Sequence, residues 1–590
     1  MGEASTNLAF LLSRERGAAP RQVAESLVEP FEPAQFRFID RIEVAGAGFI
    51  NFFLNYEEFL PFAVEAIEAS SAEFGRPADL TRLRILIEHT AVNPNKEWHV
   101  GHLRNAVIGD VLVRAARLAG HDVEVQNYID DTGRQVAEAI YALERYGASS
   151  ASDCQKYDQY VGSYYVRVNA ELAEASEGSR HQELDAGITR TLHELESGAH
   201  RGQVERIVRA QLETAKRLGA EYDLLVWESD IVQARLLDEA LESLKRSPRV
   251  YVPTEGEYLG ALVIEVPPGS GSEEESDEKL LRVLVRSNGL PTYTGKDMAY
   301  MMWKFGLLKE RLRRCIWDTG APGPVWTTCP DGDVFDPRPP DRVINVVGEH
   351  QALQQQTVLE GLAAAGFEDE ARRAEHFSYG MVREKTGRIQ GRRGSGASAD
   401  EILDEALEVA VQRVNEKQSD TEAAERRAVA EAIAVGAVRY LMVQYSPPKP
   451  IVFDMHDVVS FEGNTGLYIQ YALVRMNAVL RRATKDLGLG SEDIRGGDLA
   501  LLQSEPERRL VLKLARFPHA VESTLRTLGV NLVAEYAHEL AAEFSQFYRD
   551  CPILSAPEEL RLARLRLVTA TRRVLTNVAG VIGIPVVDYL

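Results

Sequence analysis

The stretch that most constrains the fold is one strand–helix–strand unit. Residues 83–88 (LRILIE) read as a buried strand, and the polar loop HTAVNPNKEW follows. A helix is predicted from about Val100 to Ala119, because Leu103, Val107, Val111, Ala115 and Leu118 recur at helical spacing. Gly120 suits the left-handed stop. Val123–Ile129 then reads as the next strand. A unit of this length joins parallel neighbours by a right-handed crossover, which predicts an α/β domain on a parallel, Rossmann-like sheet.

The rest of the chain divides around that unit. Residues 1–72 read as a small α+β domain, with an alternating segment at Phe36–Val44, a Gly46/Gly48 turn and a second apolar run at Phe49–Leu54. The catalytic domain is expected over 73–400, split by an acidic helical insertion at about 135–250. Strand-like runs at Ala261–Val266, Leu280–Arg286 and Arg342–Val347 predict that the sheet resumes after it. A helical linker over 401–455 and a helical domain over 456–590 complete the expected order.

Composition sets the class. The chain has 590 residues, 45% hydrophobic and 26% charged, which is globular and excludes a low-complexity or disordered protein. A net charge of −22 argues at first against a polyanionic partner, but the acid is unevenly spread. Residues 141–200 sum to −5, residues 501–590 to +1, and residues 381–396 to +4. No apolar run is long enough for a membrane span, and the first residues carry no secretory pattern. Cys154, Cys315, Cys329 and Cys551 form no CxxC pair, so reduced thiols and a cytoplasmic protein are expected.

The chemistry concentrates in EHTAVNPNKEWHVGH, residues 88–102. Four of the twelve histidines, His89, His99, His102 and His121, fall within 33 residues beginning in that stretch. A strand running through a polar loop into a helix N-terminus is an anion site, since unpaired N–H groups and the dipole's positive end face the ligand. Gly101 permits close backbone approach. His99 and His102, three apart, share one face of the first turn and can donate to phosphate oxygens. Two histidines at this spacing also suit zinc, but no third ligand sits nearby, so no metal site is expected. Spacing alone also permits a polar loop that merely caps a helix.

The HVGH at 99–102 resembles the HIGH signature of class I aminoacyl-tRNA synthetases, and its longer context is similar to the arginyl-tRNA synthetases. NYIDDTGRQ (127–135), YTGKDMAY (293–300), EGNTGLYIQYALVR (462–475) and the C-terminal GIPVVDYL follow in that family's order. The resemblance implies arginine binding by Asn93, His102, Glu228, Tyr293, Asp297 and Gln351, with Glu88 a weaker candidate. It implies ATP binding by Pro94, His99, Gly101 and His102. It implies tRNA elbow contact by Phe49 and Asn51, on a domain whose first strand and helix are expected to be missing. Tyr468, Gln470, Tyr471 and Arg475 are the implied anticodon-side contacts. The second class I signature, KMSKS, is absent, and EKTGRIQGRRGSG (384–396) stands in its place. Arg388, Arg392 and Arg393 are expected to meet ATP there, with Arg393 as the catalytic cation. An Arg stripe at Arg561, Arg564, Arg566, Arg572 and Arg573 falls on more than one helix face.

The implied partners are tRNA(Arg), L-arginine, ATP and the Mg2+ that accompanies it, with no membrane and a monomeric enzyme. A carboxylate meets a guanidinium bidentately, which makes Asp297 the natural partner of arginine. Lysine would leave bonds unmade at about 1–3 kcal/mol each. Each residue also has a plainer reading: a lone Asp in a first turn compensates the dipole, a Tyr in an α/β core packs, and Gln351 alone signals nothing. Two other classes remain on the sequence alone. A non-catalytic tRNA-binding paralogue is opposed by the intact Asn93, His99, His102, Tyr293 and Asp297. A nucleotidyltransferase leaves the helical C-terminal domain without a role.

Overall fold

The computed structural model describes residues 2–147, 156–175, 178–267, 280–319, 323–335, 337–384, 398–417 and 422–589. In the N-terminal unit Ile39–Ala45 and Phe49–Leu54 form the expected hairpin, and Ala4–Thr6 adds a third antiparallel strand. The turn needs glycine, because Gly46 and Gly48 sit at φ 56° and 136°. A Cβ on Gly48 would also fall 2.7 Å from the Pro20 carbonyl carbon.

Among the described residues the main sheet has eight strands. Across it lie Asp333–Phe335, Leu312–Asp318, Val325–Thr328, Leu224–Trp227, Asp122–Ile129, Arg84–Glu88, Arg342–Gly348 and Ala374–Tyr379. The last six pair in parallel, and the first two form an antiparallel edge. The predicted helix runs Val100–Leu118, with Gly120 at φ 90° after it. Arg84–Glu88 lies between Asp122–Ile129 on one side and Arg342–Gly348 on the other. That reversal of strand order opens a crevice at the carboxyl ends of the strands, where ligands bind in such sheets.

The resumption of the sheet differs from expectation. Leu262–Val266 and Leu280–Val285 join Val250–Tyr251 in a separate antiparallel sheet. The main sheet resumes earlier, at Leu224–Trp227, within the span read as helical insertion. These four residues are all buried, and so short an apolar run between helices carries no strand period of its own.

The cysteines also differ. Cys315 and Cys329 are disulfide-bonded, with Cα atoms 6.1 Å apart. Antiparallel pairing places Cys315 opposite Thr327, and Cys329 follows on the same strand's end. Fourteen residues of separation concealed this in the sequence.

From Ala399 onward the chain is almost entirely helical. The Arg stripe serves this architecture more than a surface. Arg564 binds Glu507 at 2.7 Å, Arg566 makes a two-pronged pair with Glu68 at 2.9 and 2.8 Å, and Arg572 reaches Asn477 at 3.2 Å. Only Arg573 of the stripe is exposed.

Arg439, fully buried, ties three parts together. It donates to Ile582 O at 2.8 Å, to Leu218 O at 2.7 Å and to the Asp110 carboxylate on the Val100–Leu118 helix. Burial pushes Asp110 up, but the Arg439 and Arg114 guanidiniums hold it below the usual carboxylate range. Removing Arg439 leaves Asp110 with Arg114 alone and takes the donor from two carbonyl oxygens in the interior. Arg439→Ala is therefore expected to destabilise the protein by about 3 kcal/mol, read as a lower Tm in calorimetry. An unchanged Tm would refute this tie.

Candidate active site

A cavity of about 940 Å³ opens at the crevice, with His99, Gly101 and His102 at one end and Asp130, Tyr293 and Asp297 lining it as well. The His end is built by the start of the Val100–Leu118 helix. His99 is the N-cap: its Nδ1 accepts from Gly101 N–H at 3.0 Å. His102 Nδ1 accepts from His99 N–H at 3.3 Å, and the two rings stack 3.6 Å apart. With both Nδ1 atoms accepting, each neutral ring carries its proton on Nε2, free to donate. Burial, then the Lys96 and His350 charges, lower His99 to about 4. Burial, then His99 and Lys96, hold His102 well below the usual imidazole range. Gly101 is needed there, since a Cβ would lie 2.8 Å from His99 Cε1.

The loop before the helix is under tension. Thr90 adopts φ 62°, rare for a β-branched residue, and its N–H donates to Asn105 Oδ1 at 2.7 Å. Asn105 Nδ2 also reaches Val346 O and Tyr379 Oη, at 2.9 and 3.1 Å. One amide thus joins the loop, the helix and the Arg342–Gly348 strand.

The acidic side is set by the Tyr293–Lys304 helix and the end of Asp122–Ile129. Asp297 accepts from Gln354 Nε2 at 2.6 Å. Burial, then the neighbouring Glu88, push its carboxyl up to about 7. Burial, then Glu228, also raise Asp130 well above the carboxylate range. Tyr293, raised by burial and by Asp130, keeps its phenolic proton.

The residues expected from sequence divide into three groups. Asn93, His99, Gly101, His102, Tyr293, Asp297 and Gln351 all line the one cavity, and Asn93 Nδ2 binds Gln135 at 3.2 Å. Glu88 lines it too but is paired with Lys304. Glu228 departs from the expectation: it is 1% exposed and lies behind the cavity wall. Its oxygens are taken by Tyr128 at 2.7 Å, Lys296 at 2.5 Å and Thr132. Pro94 is buried and does not line the cavity. Asp130 was not singled out from sequence, although it stands inside NYIDDTGRQ.

Arg388, Arg392 and Arg393 lie outside the described residues. The described residues on either side of them lie at or near the cavity. Gly380, Met381 and Val382 line the wall before it, and Ser398 after it pairs with His99.

Of the residues tied to RNA, Phe49 is exposed and packs on Phe10 at 5.0 Å. Asn51, by contrast, is buried. Tyr468 donates to Ser545 at 3.2 Å. Arg475 lies over the rings of Tyr471 at 4.7 Å and Tyr548 at 5.1 Å. Gln470 corrects the expectation: it is fully buried, and its amide donates to Ala432 O at 3.0 Å and Pro585 O at 2.8 Å. It is a brace, with no surface for RNA.

Comparison with known proteins agrees along the whole chain. The family pattern "tRNA synthetases class I (R), catalytic domain" matches residues 64–315 and 337–454. "DALR anticodon binding domain" matches 469–590, and "Arginyl tRNA synthetase N terminal domain" matches 1–54. An arginine–tRNA ligase of Thermococcus sibiricus is 37% identical, over 99% of this chain and 92% of that protein. One from Thermus thermophilus is 38% identical, over 98% of this chain and 93% of its own. The solved Thermus thermophilus arginyl-tRNA synthetase aligns with a TM-score of 0.86 at 37% identity, over 100% of this chain and 95% of that one. The chain belongs to the arginyl-tRNA synthetase family of class I.

Proposed function

We propose that this cavity activates L-arginine with ATP and passes it to tRNA(Arg). The supporting observation is the cavity's polarity: two neutral imidazoles at a helix N-terminus share it with Asp130 and Asp297, whose carboxylates form no ion pair among the described residues. The first end suits a phosphate and the second a guanidinium. The arginine carboxylate attacks the α-phosphate in line, and pyrophosphate leaves. A hydroxyl of the tRNA's terminal adenosine then attacks the activated carbonyl, releasing AMP. His99 and His102 would stabilise charge on the phosphate through Nε2–H, with Lys96 and the basic segment 383–393 facing the leaving group. Mg2+ enters as part of the nucleotide substrate.

The supporting domains follow the same reading. Residues 1–72 would meet the tRNA elbow through Phe49, and 456–590 the anticodon arm through Tyr468, Tyr471 and Arg475, since aromatic rings and a guanidinium lying over them suit unpaired bases. Residues 73–400 are the catalytic part and 401–455 the linker. A monomer is part of this reading, and the substrates suit the cytoplasm. Among the described residues no helix is long and apolar enough to cross a membrane. The test is ATP–pyrophosphate exchange with tRNA(Arg) present. Exchange is expected with arginine and not with lysine or citrulline; exchange that ignores the amino acid would overturn the assignment.

A further inference from the structure

Two helices of the insertion, Tyr157–Glu174 and Arg201–Leu218, close on the loop that leads into the His99–His102 turn. Three of their residues converge on one position of that loop, Lys96. Lys96 lines the cavity, and its charge helps to keep protons off both imidazoles. Its ammonium therefore belongs to the phosphate end of the site.

Gln211 fixes the backbone of the loop. The residue is buried, and its Nε2 donates to Lys96 O at 2.7 Å and to Asn93 O at 3.3 Å. One side chain of the insertion thus holds both ends of the Asn93–Lys96 turn. Thr214 and Arg217 follow on the same helix at steps of three and bind the Asp400 carboxylate at 3.1 and 2.9 Å. That second tie, to the helix Ala399–Lys417, keeps Arg201–Leu218 from sliding over the loop.

Gly162 and Tyr165 fix the side chain. They stand three apart on Tyr157–Glu174, so they share a face. A Cβ on Gly162 would fall 2.9 Å from Lys96 Cβ and 2.6 Å from Glu97 Oε2, so glycine is what lets the helix come this close. One turn on, the Tyr165 ring, itself in the cavity wall, lies 5.8 Å from Lys96 Nζ. A lysine ammonium is a point charge on a flexible four-carbon stem. Free in solvent it samples many positions, and an aromatic face within about 6 Å draws it to one.

We propose that the helical insertion is the positioning element for the Lys96 ammonium, with Gln211, Gly162 and Tyr165 as its positioning residues in the activation step. This rests on the reading above, in which Lys96 faces the departing pyrophosphate. The three residues act through Lys96. An ammonium already in place stabilises the leaving charge without first having to be gathered there.

The test is a double-mutant cycle on the full chain, read by arginine-dependent ATP–pyrophosphate exchange with tRNA(Arg) present. Tyr165→Leu is expected to lower kcat about five- to tenfold, with the arginine KM within twofold. Tyr165→Phe, which keeps the ring, should recover most of that loss. In a Lys96→Met background Tyr165→Leu should lower kcat less than about twofold, because the group it positions is gone. Gln211→Met, close in length but without the amide, should show the same dependence on Lys96. Losses that multiply in the Lys96→Met background would overturn the proposal, as would full activity in Lys96→Met itself or equal losses in Tyr165→Leu and Tyr165→Phe. Where the other variants do not fold, or the Lys96→Met background is inactive, Tyr165→Phe decides alone, and a loss above about threefold would refute the role of the ring. Wild type without arginine-dependent exchange would overturn the arginine reading itself, and this proposal with it.

Discussion

Replacing His102 with alanine is expected to lower kcat for arginine activation by about 10²–10³-fold, the usual cost of one preorganised donor to developing charge. The arginine KM should change less than kcat, because the ring sits at the phosphate end and the resemblance gives it only one of several contacts to the amino acid. The donor is a neutral imidazole: His99 is held at about 4, and His102 lies well below the usual range. No imidazole titration should therefore appear between pH 6 and 9 in the activation step. A limb near pH 6.5 that vanishes in the variant would instead mean a protonated imidazole. His102→Gln, which keeps an N–H, should recover part of the loss, and stopped-flow or pyrophosphate exchange reads all three. Part of the alanine effect is structural, because His102 Nδ1 also accepts the His99 N–H. The glutamine variant separates the two contributions.

Asp297→Asn is expected to raise the arginine KM by about 100-fold or more, with the ATP KM within threefold. The estimate rests on losing a charge-assisted, two-pronged bond inside a buried site. The pH dependence has a definite sign. Burial and Glu88 push Asp297 up to about 7, above its value in an unfolded chain. Between the unfolded value near 4 and 7, the empty folded protein holds a proton that the unfolded chain has lost, so stability falls as pH rises through that window. Arginine needs the ionised form. Its kcat/KM should therefore climb from pH 6 to 8, and its stabilising thermal shift should grow over the same range. Both trends should flatten in Asp297→Asn. Equal increases in the arginine and ATP requirements would remove Asp297 from the amino-acid site.

Local patterns in the chain were readable from sequence and tertiary meetings were not. The strand–helix–strand unit and the Gly46–Gly48 hairpin appeared where their periodicities and turn residues put them, because those signals are local. Leu224–Trp227 was missed because four buried apolar residues look the same in a strand or a helix. Leu262–Val266 and Leu280–Val285 were strands, but sequence could not say which sheet they would join. Asn51 and Gln470 sit inside motifs that resemble the family's, yet both are buried, and side-chain direction depends on neighbours far along the chain.

The acidic site shows the same limit most clearly. Asp130 and Asp131 are adjacent in sequence with nothing to tell them apart. Folding gives Asp131 to Ser229, whose N–H and hydroxyl donate to it at 2.9 and 2.6 Å, and leaves Asp130 at the cavity. Glu228, expected at the arginine site, is instead paired with Lys296, which comes from a helix far along the chain. The signal that would have found Asp130 is a charge count over residues brought together only by the fold.

The net charge of −22 leaves tRNA as a partner, because acid and base are segregated along the chain. Nonspecific RNA affinity should be weak and salt-sensitive, with recognition resting on shape and a few stacked bases. The most direct measurement is charging of total tRNA with each amino acid in turn, with ATP and Mg2+ present. Arginine is expected to be joined to tRNA, and lysine is not. No charging with arginine, or comparable charging with lysine, would contradict it.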